Sequence, residues 1–216
     1  MPYAAARLNM LDAQVRANDV TDARIQAAMG AIARERFVPS ARAALAYADV
    51  PVQIAPQRYL LDPRSFAKLL QLARIEPDDS VLDVGCGTGY SSAVIAHMVK
   101  SVVALEQDAD LVRLASELVP AAGATNAIVT QGALVEGFKG RAPYNVIFIN
   151  GAIETTPDTL LAQLAEGGRL VTFMQSADHA RAHIFTREHG HVGQRADFDA
   201  VVPLLAGFRK SVGFVF

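Results

Sequence analysis

Along the first third of the chain the apolar positions recur at helical spacing. Leu8, Leu11 and Val15 form one stripe, and Thr21 stands as an N-cap before a second stripe of Ile25, Met29 and Ile32. After Phe37, Val38 and Pro39 the periodicity fades. The stretch from Ala48 to Pro63 carries Pro51, Pro56 and Pro63 and is predicted to be extended and loop-rich. From about Ser65 the pattern changes to apolar runs alternating with helical stripes. Phe66, Leu69, Leu70 and Leu72 predict a helix, and Ser80 to Val84 a strand. A helix from Tyr90 to Met98 and a strand from Ser101 to Leu105 follow. Asp108 is placed to cap a helix carrying Leu111, Leu114, Ala115 and Leu118. Further strands are predicted over Ala127 to Thr130, Tyr144 to Ile149 and Arg169 to Met174. Thr156 and Pro157 open a helix that Gly167 and Gly168 should stop, and strand-like runs lie near Ala182 to Thr186 and Val212 to Phe216. Alternating βα units with near-continuous apolar strands imply a parallel sheet covered on both faces. The expected fold is therefore α/β, a Rossmann-like, doubly wound, mostly parallel sheet with a helical N-terminal extension. The extension and a loop at its end take residues 1–64, and the sheet domain takes 65–216.

Composition narrows the partners. The chain has 216 residues, enough for one domain with a small extension. An apolar fraction of 51% against 19% charged residues is that of an ordered globular protein. Lys and Arg number 20 against 22 Asp and Glu, so the net charge of −2 offers no global field for a polyanion, and nucleic acid is not an expected partner. One cysteine, Cys86, builds neither a disulfide framework nor a cysteine zinc site. No window of about 18 apolar residues and no signal-peptide pattern occurs, so no membrane association is expected and a cytoplasmic place is. His179, His183, His189 and His191 fall within thirteen residues, a spacing that suits a metal site but suits a polar surface hairpin better.

The chemistry concentrates in Val81-Leu82-Asp83-Val84-Gly85-Cys86-Gly87-Thr88-Gly89-Tyr90, where a first strand turns into a helix. Gly85, Gly87 and Gly89 permit a tight turn and a close approach of ligand to backbone. Glu106, at the predicted end of the next strand, is placed to accept hydrogen bonds from both hydroxyls of a ribose. A dinucleotide-binding turn would have glycine where Tyr90 stands, and its pyrophosphate would be repelled by Asp83. A ligand with a cationic amino group is attracted by Asp83 instead. S-adenosyl-L-methionine, whose demethylated product is S-adenosyl-L-homocysteine, carries that group, so a methyltransferase is favoured over a dehydrogenase. Cys86, with no histidine near it in sequence, reads as a small filler of the turn.

Further blocks extend the picture over nearly the whole chain. Gln14 and Arg16 precede Arg34-Glu35-Arg36-Phe37-Val38-Pro39 and Ala46-Tyr47-Ala48-Asp49-Val50-Pro51. Ala142-Pro143-Tyr144, the run from Gln163 to Val171, and Val202-Pro203-Leu204 come later. In this order the chain resembles the protein-L-isoaspartate O-methyltransferase family. The resemblance implies methyl transfer from S-adenosylmethionine to the free carboxyl of an isoaspartyl residue in a protein or peptide, an early step in repair of aged proteins, with no metal. It also implies a cofactor site made of Asp83, the turn Gly85, Cys86, Gly87, Gly89 and Tyr90, and Glu106 with Gln107, closed by Gly132, Ala133 and Asn150. The family's substrate loop reads Thr-Ile-Ser-Gln-Pro. Anchored on Pro63, the threonine position here is Tyr59, the serine position is Leu61, and Asp62 precedes the proline. An aspartate that meets adenine in the family is Ala133, and a small-residue run after the fourth strand begins at Asn150. These departures leave three readings open: the family reaction, the same fold acting on another acceptor such as an unknown small molecule, or cofactor binding without turnover. Arg58, Tyr59 and Asp62 form either a polar site at the cofactor mouth or a solvated loop.

Overall fold

The computed structural model describes residues 2–176 and 179–210. Helices α1 (Pro2–Met10) and α2 (Ala23–Ala31) form the extension, which continues through short helical turns to a two-stranded ribbon, β1 (Val52–Ala55) and β2 (Arg58–Leu60). Helix α3 (Pro63–Leu72) leads into the main sheet. Strands β3 (Ser80–Val84), β4 (Ser101–Glu106), β5 (Ala127–Gln131), β6 (Tyr144–Ile153) and β7 (Leu164–Ser176) alternate with α4 (Tyr90–Ala96), α5 (Ala109–Ala121) and α6 (Asp158–Leu161). β8 (His179–Glu188) and β9 (His191–Ala200) follow. The seven strands run in the order β5-β4-β3-β6-β7-β8-β9. The first five are parallel to one another, and β8 and β9 fold back as an antiparallel meander. The order reverses between β3 and β4 on one side and β6 on the other, so the carboxyl ends of these strands open a crevice suited to a ligand.

The α/β architecture expected from the apolar pattern is present, with local differences. Asp22, not Thr21, caps α2, its carboxylate accepting from the Arg24 amide. Leu8 lies outside the core at 62% exposure, while Met10, Leu11 and Val15 are buried. Pro157, not Thr156, precedes the single turn of α6. Gly167 and Gly168 do not stop a helix. They form a bulge at the start of β7, where the two-residue step of β6 from Tyr144 to Val146 opposes the five-residue step from Leu164 to Arg169. The stretch expected to be extended and loop-rich contains the β1–β2 ribbon, and the four histidines fall on the β8–β9 hairpin. The run from Val212 to Phe216 lies outside the described residues.

One apolar cluster joins the extension to the sheet. Ile25, Met29 and Phe37 belong to it together with Phe66, Tyr90 and Phe148. The second cluster fills the opposite face, around Leu82, Leu105, Ile147 and Leu170.

Candidate cofactor cleft

The cleft begins where β3 ends. Gly85, Gly87 and Gly89 have φ of +74°, +58° and +94°, conformations that side-chain-bearing residues adopt at a cost. The amides of Gly85 and Cys86 donate to the Leu105 carbonyl at 2.8 and 3.1 Å, tying the turn to β4. Thr88 donates through its hydroxyl to the Phe37 carbonyl at 2.6 Å, tying the turn to the extension. Tyr90 opens α4 with its ring buried between Phe37 and Phe66 and with the Arg34 guanidinium 4.7 Å above it. Cys86 is buried, and burial pushes its thiol well above the ordinary range, as do the carboxylates of Asp83 and Glu106.

Asp83 sits beneath this turn with no exposure. Its carboxylate accepts from the hydroxyls of Ser91 (2.6 Å) and Ser92 and from the amide of Asn150. Burial nevertheless outweighs these bonds and pushes its carboxyl up to about 6. Glu106, also without exposure, closes the end of β4. One oxygen accepts from the Gln107 and Asp108 amides at 2.8 and 3.1 Å. The other accepts from the Gly87 amide at 2.9 Å and forms a buried ion pair with Arg58. Nε and Nη1 of Arg58 are buried without a hydrogen-bond partner among the described residues. The Gly132 amide donates to the Glu106 carbonyl at 3.0 Å, while Gln107 and Ala133 are exposed beside it.

The other side of the cleft is built by the ribbon and the start of α3. Asp62 caps that helix, its carboxylate taking the Ser65 amide at 2.8 Å, with Pro63 in the first turn. Leu61 is buried, and its carbonyl is held by Arg34, whose Nε also donates to the Ala46 carbonyl at 2.6 Å. Tyr59 is partly exposed. Tyr59, Leu61 and Asn150 share a cavity of about 10 Å³ with Gln57 and the segment from Pro203 to Leu205. That is room for no more than one water. The segment is stitched to β6, with the Ala152 amide donating to the Pro203 carbonyl at 2.9 Å and the Leu205 amide to the Ala152 carbonyl at 2.8 Å.

The donors and acceptors suit a nucleoside cofactor in kind: a glycine cradle, and a carboxylate at the end of β4 for ribose hydroxyls. The room is taken by the chain itself. A Cβ built on Gly87 would lie 2.5 Å from Ile54 Cδ1, and one on Gly85 would lie 3.0 Å from Leu205 and 3.4 Å from Arg58 Nη2. The residues present fit the group in their chemistry, and Ile54 and Leu205 fill the space over Gly87 and Gly85. Ile54, Leu205, Ser91, Ser92 and Arg34 were not legible as site residues. The two serines are eight and nine residues beyond Asp83 on α4, a spacing that offered a faint signal. The others arrive from remote segments and offered none. Among the described residues, no group of three or more histidine, cysteine or acidic side chains is placed to hold a metal ion, and no helix is long and apolar enough to cross a membrane.

Comparison with known proteins agrees with this architecture. The chain is similar to the protein-L-isoaspartate O-methyltransferase of Koribacter versatilis, at 36% identity over 205 residues covering 94% of this chain and 92% of that one. It is similar to that of Methylorubrum populi, at 36% identity over 206 residues covering 94% and 96%. Among solved structures, a protein-L-isoaspartate O-methyltransferase overlays with a TM-score of 0.79 at 23% identity, over 93% of this chain and 66% of that one. A Plasmodium falciparum protein assigned to the same activity, solved with S-adenosyl-L-homocysteine, overlays with 0.78 at 20% identity, over 94% and 97%. At these identities the overlays are likenesses of fold. The family model of protein-L-isoaspartate(D-aspartate) O-methyltransferase, a family of S-adenosylmethionine-dependent methyltransferases, matches residues 6–206. With a match that spans the extension, the glycine turn and the Val202-Pro203-Leu204 block together, the chain belongs to that family.

Proposed function

We propose that this chain binds S-adenosylmethionine between the glycine turn and Glu106 and methylates the free carboxylate of isoaspartyl residues in damaged proteins. The observation that carries the reading is the glycine turn, left-handed at three positions and hydrogen-bonded through the Gly87 amide to the wholly buried Glu106. When bound, the cofactor supplies an electrophilic methyl group, and a carboxylate acceptor is already ionised at pH 7 and needs no base. Asp62 is consistent with that economy, because one oxygen of its carboxylate is engaged as a helix cap. Glu106 holds the ribose hydroxyls, and the turn from Gly85 to Gly89 lets the cofactor lie against backbone. Leu61 excludes water beside the reacting carboxylate but cannot donate to it. Residues 1–64 serve as the wall that presents the acceptor, and 65–216 as the cofactor domain.

The test is an isoaspartyl peptide incubated with methyl-labelled cofactor, with base-labile methanol as the readout. Slow methanol release by the wild type is expected. Leu61→Ser restores a donor to a charged group, worth about 1.5–3 kcal/mol, and should raise turnover roughly ten- to a hundredfold. Cofactor binding with no methanol from either form would overturn the isoaspartyl acceptor and favour a different methyl acceptor.

A further inference from the structure

The ion pair between Arg58 and Glu106 has features of a contact made to be exchanged. Glu106 is the group placed to take ribose hydroxyls, and one of its oxygens is shared between Gly87 and the guanidinium. Arg58 is about 4% exposed, yet Nε and Nη1 find no partner among the described residues. A buried guanidinium left with two unpaired donor nitrogens loses hydration that the single ion pair does not replace. Such a contact is cheaper to open than a fully satisfied one. Its carrier is also weakly held. Arg58 begins β2, in a ribbon of only two strands whose pairing slips between Gln53 and Ala55, and an isolated two-stranded ribbon has little stability of its own. The same ribbon supplies Ile54, which packs on Gly87 where a ligand must approach the backbone.

We propose that Arg58 gates the cofactor cleft. Its guanidinium occupies, on Glu106, the place of the ribose hydroxyls, and the β1–β2 ribbon moves outward with it when cofactor enters. The inference rests on the cofactor reading above and adds to it a competitor built into the chain. Because only the open fraction binds, the apparent affinity of the wild type is reduced by that fraction. Arg58 thereby sets cofactor affinity without contacting the reacting atoms.

The test is calorimetric titration of S-adenosylhomocysteine into the wild type and into Arg58→Met, which keeps apolar bulk and removes the ion pair. Affinity should tighten by about tenfold or more in the variant, the size expected when a mostly closed population is released. Equal or weaker binding by the variant overturns the gate. A second measurement uses only the wild type, in case the variant folds poorly. Trypsin cleaves after Arg58 only when that residue leaves the cleft, so saturating S-adenosylhomocysteine should speed cleavage between Arg58 and Tyr59 relative to cleavage after exposed arginines such as Arg113. Unchanged or slower cleavage at that bond overturns the gate. Equal binding by both forms sinks the gate and leaves the cofactor reading standing, whereas absence of binding by either form sinks both.

Discussion

Asp83 is wholly buried, and removal from water pushes its carboxyl up to about 6 although Ser91, Ser92 and Asn150 all donate to it. Glu106 adds like charge from across the turn. The sign for stability follows directly. A carboxyl whose folded value exceeds its unfolded value of about 3.9 is stabilising when protonated. Its contribution is therefore fully present below about pH 4 and is lost as pH rises through about 6. Asp83→Asn, which mimics the protonated form, should remove this dependence. Urea unfolding between about pH 4 and pH 7 should show the stability difference between wild type and variant changing by on the order of 3 kcal/mol, with the wild type losing ground at the higher pH. Parallel curves for the two proteins would mean that Asp83 is ionised at no net cost. The same burial bears on function. A carboxylate engaged by Ser91, Ser92 and Asn150 ties the β3–α4 turn to the end of β6.

The β3–α4 turn shows how tightly one element is fitted to another. A Cβ on Gly89 would fall 2.3 Å from Val119 Cγ2 and 3.3 Å from the Ala115 Cβ on α5, at a φ of +94°. Gly89→Ala therefore combines left-handed backbone strain with overpacking and should cost about 2–5 kcal/mol. Adding Val119→Ala relieves the packing part only, so the urea midpoint of the double variant should lie above the sum of the two single effects. Simple additivity would show that α5 does not press on the turn. The elements legible in the sequence are those whose burial is continuous. β3, β4 and β6 are runs of apolar residues bounded by glycines and caps, and Asp108 caps α5 through the Asp110 and Leu111 amides as its position predicts. β9 was not legible because most of its residues face solvent, so no apolar run marks it, and it exists by pairing with β8. The extended chain between Pro51 and Pro56 was legible, but its pairing with Arg58–Leu60 was not, because three- and four-residue strands carry no clear alternation. The glycine turn and Glu106 were legible because their spacing is local. The Arg58–Glu106 pair joins residues 48 positions apart, and no local pattern carries it.

For the molecule as a whole, the extension is part of the core. Phe66 on α3 touches Tyr90 at 5.6 Å between ring centres and Phe148 on β6 at 5.7 Å, and Phe37 from the extension closes on Tyr90 at 5.6 Å. Arg34 covers the same ring and ties the carbonyls of Ala46 and Leu61, so the segment before the ribbon and the residue after it are fixed by one guanidinium. Burial pulls Arg34 below the ordinary range, which marks how completely this junction excludes water. Tyr47, pushed up to about 12 by burial and by its bond to Glu35, seals the outer side, where Arg7 donates to its hydroxyl at 3.0 Å. Removing the extension would expose Phe66 and Tyr90 together, and each large aromatic left in water forfeits about 1.5–3 kcal/mol. The 1–64 and 65–216 segments should therefore unfold as one unit. Calorimetry should give a single transition whose calorimetric and van't Hoff enthalpies agree, and a chain beginning near residue 51 should lack a cooperative melt. Two resolved transitions in the full chain would instead mean that the wall and the cofactor domain fold separately. The gate at Arg58 would then be a motion between domains, whereas within a single cooperative core it is a local movement of the two-stranded ribbon against that core.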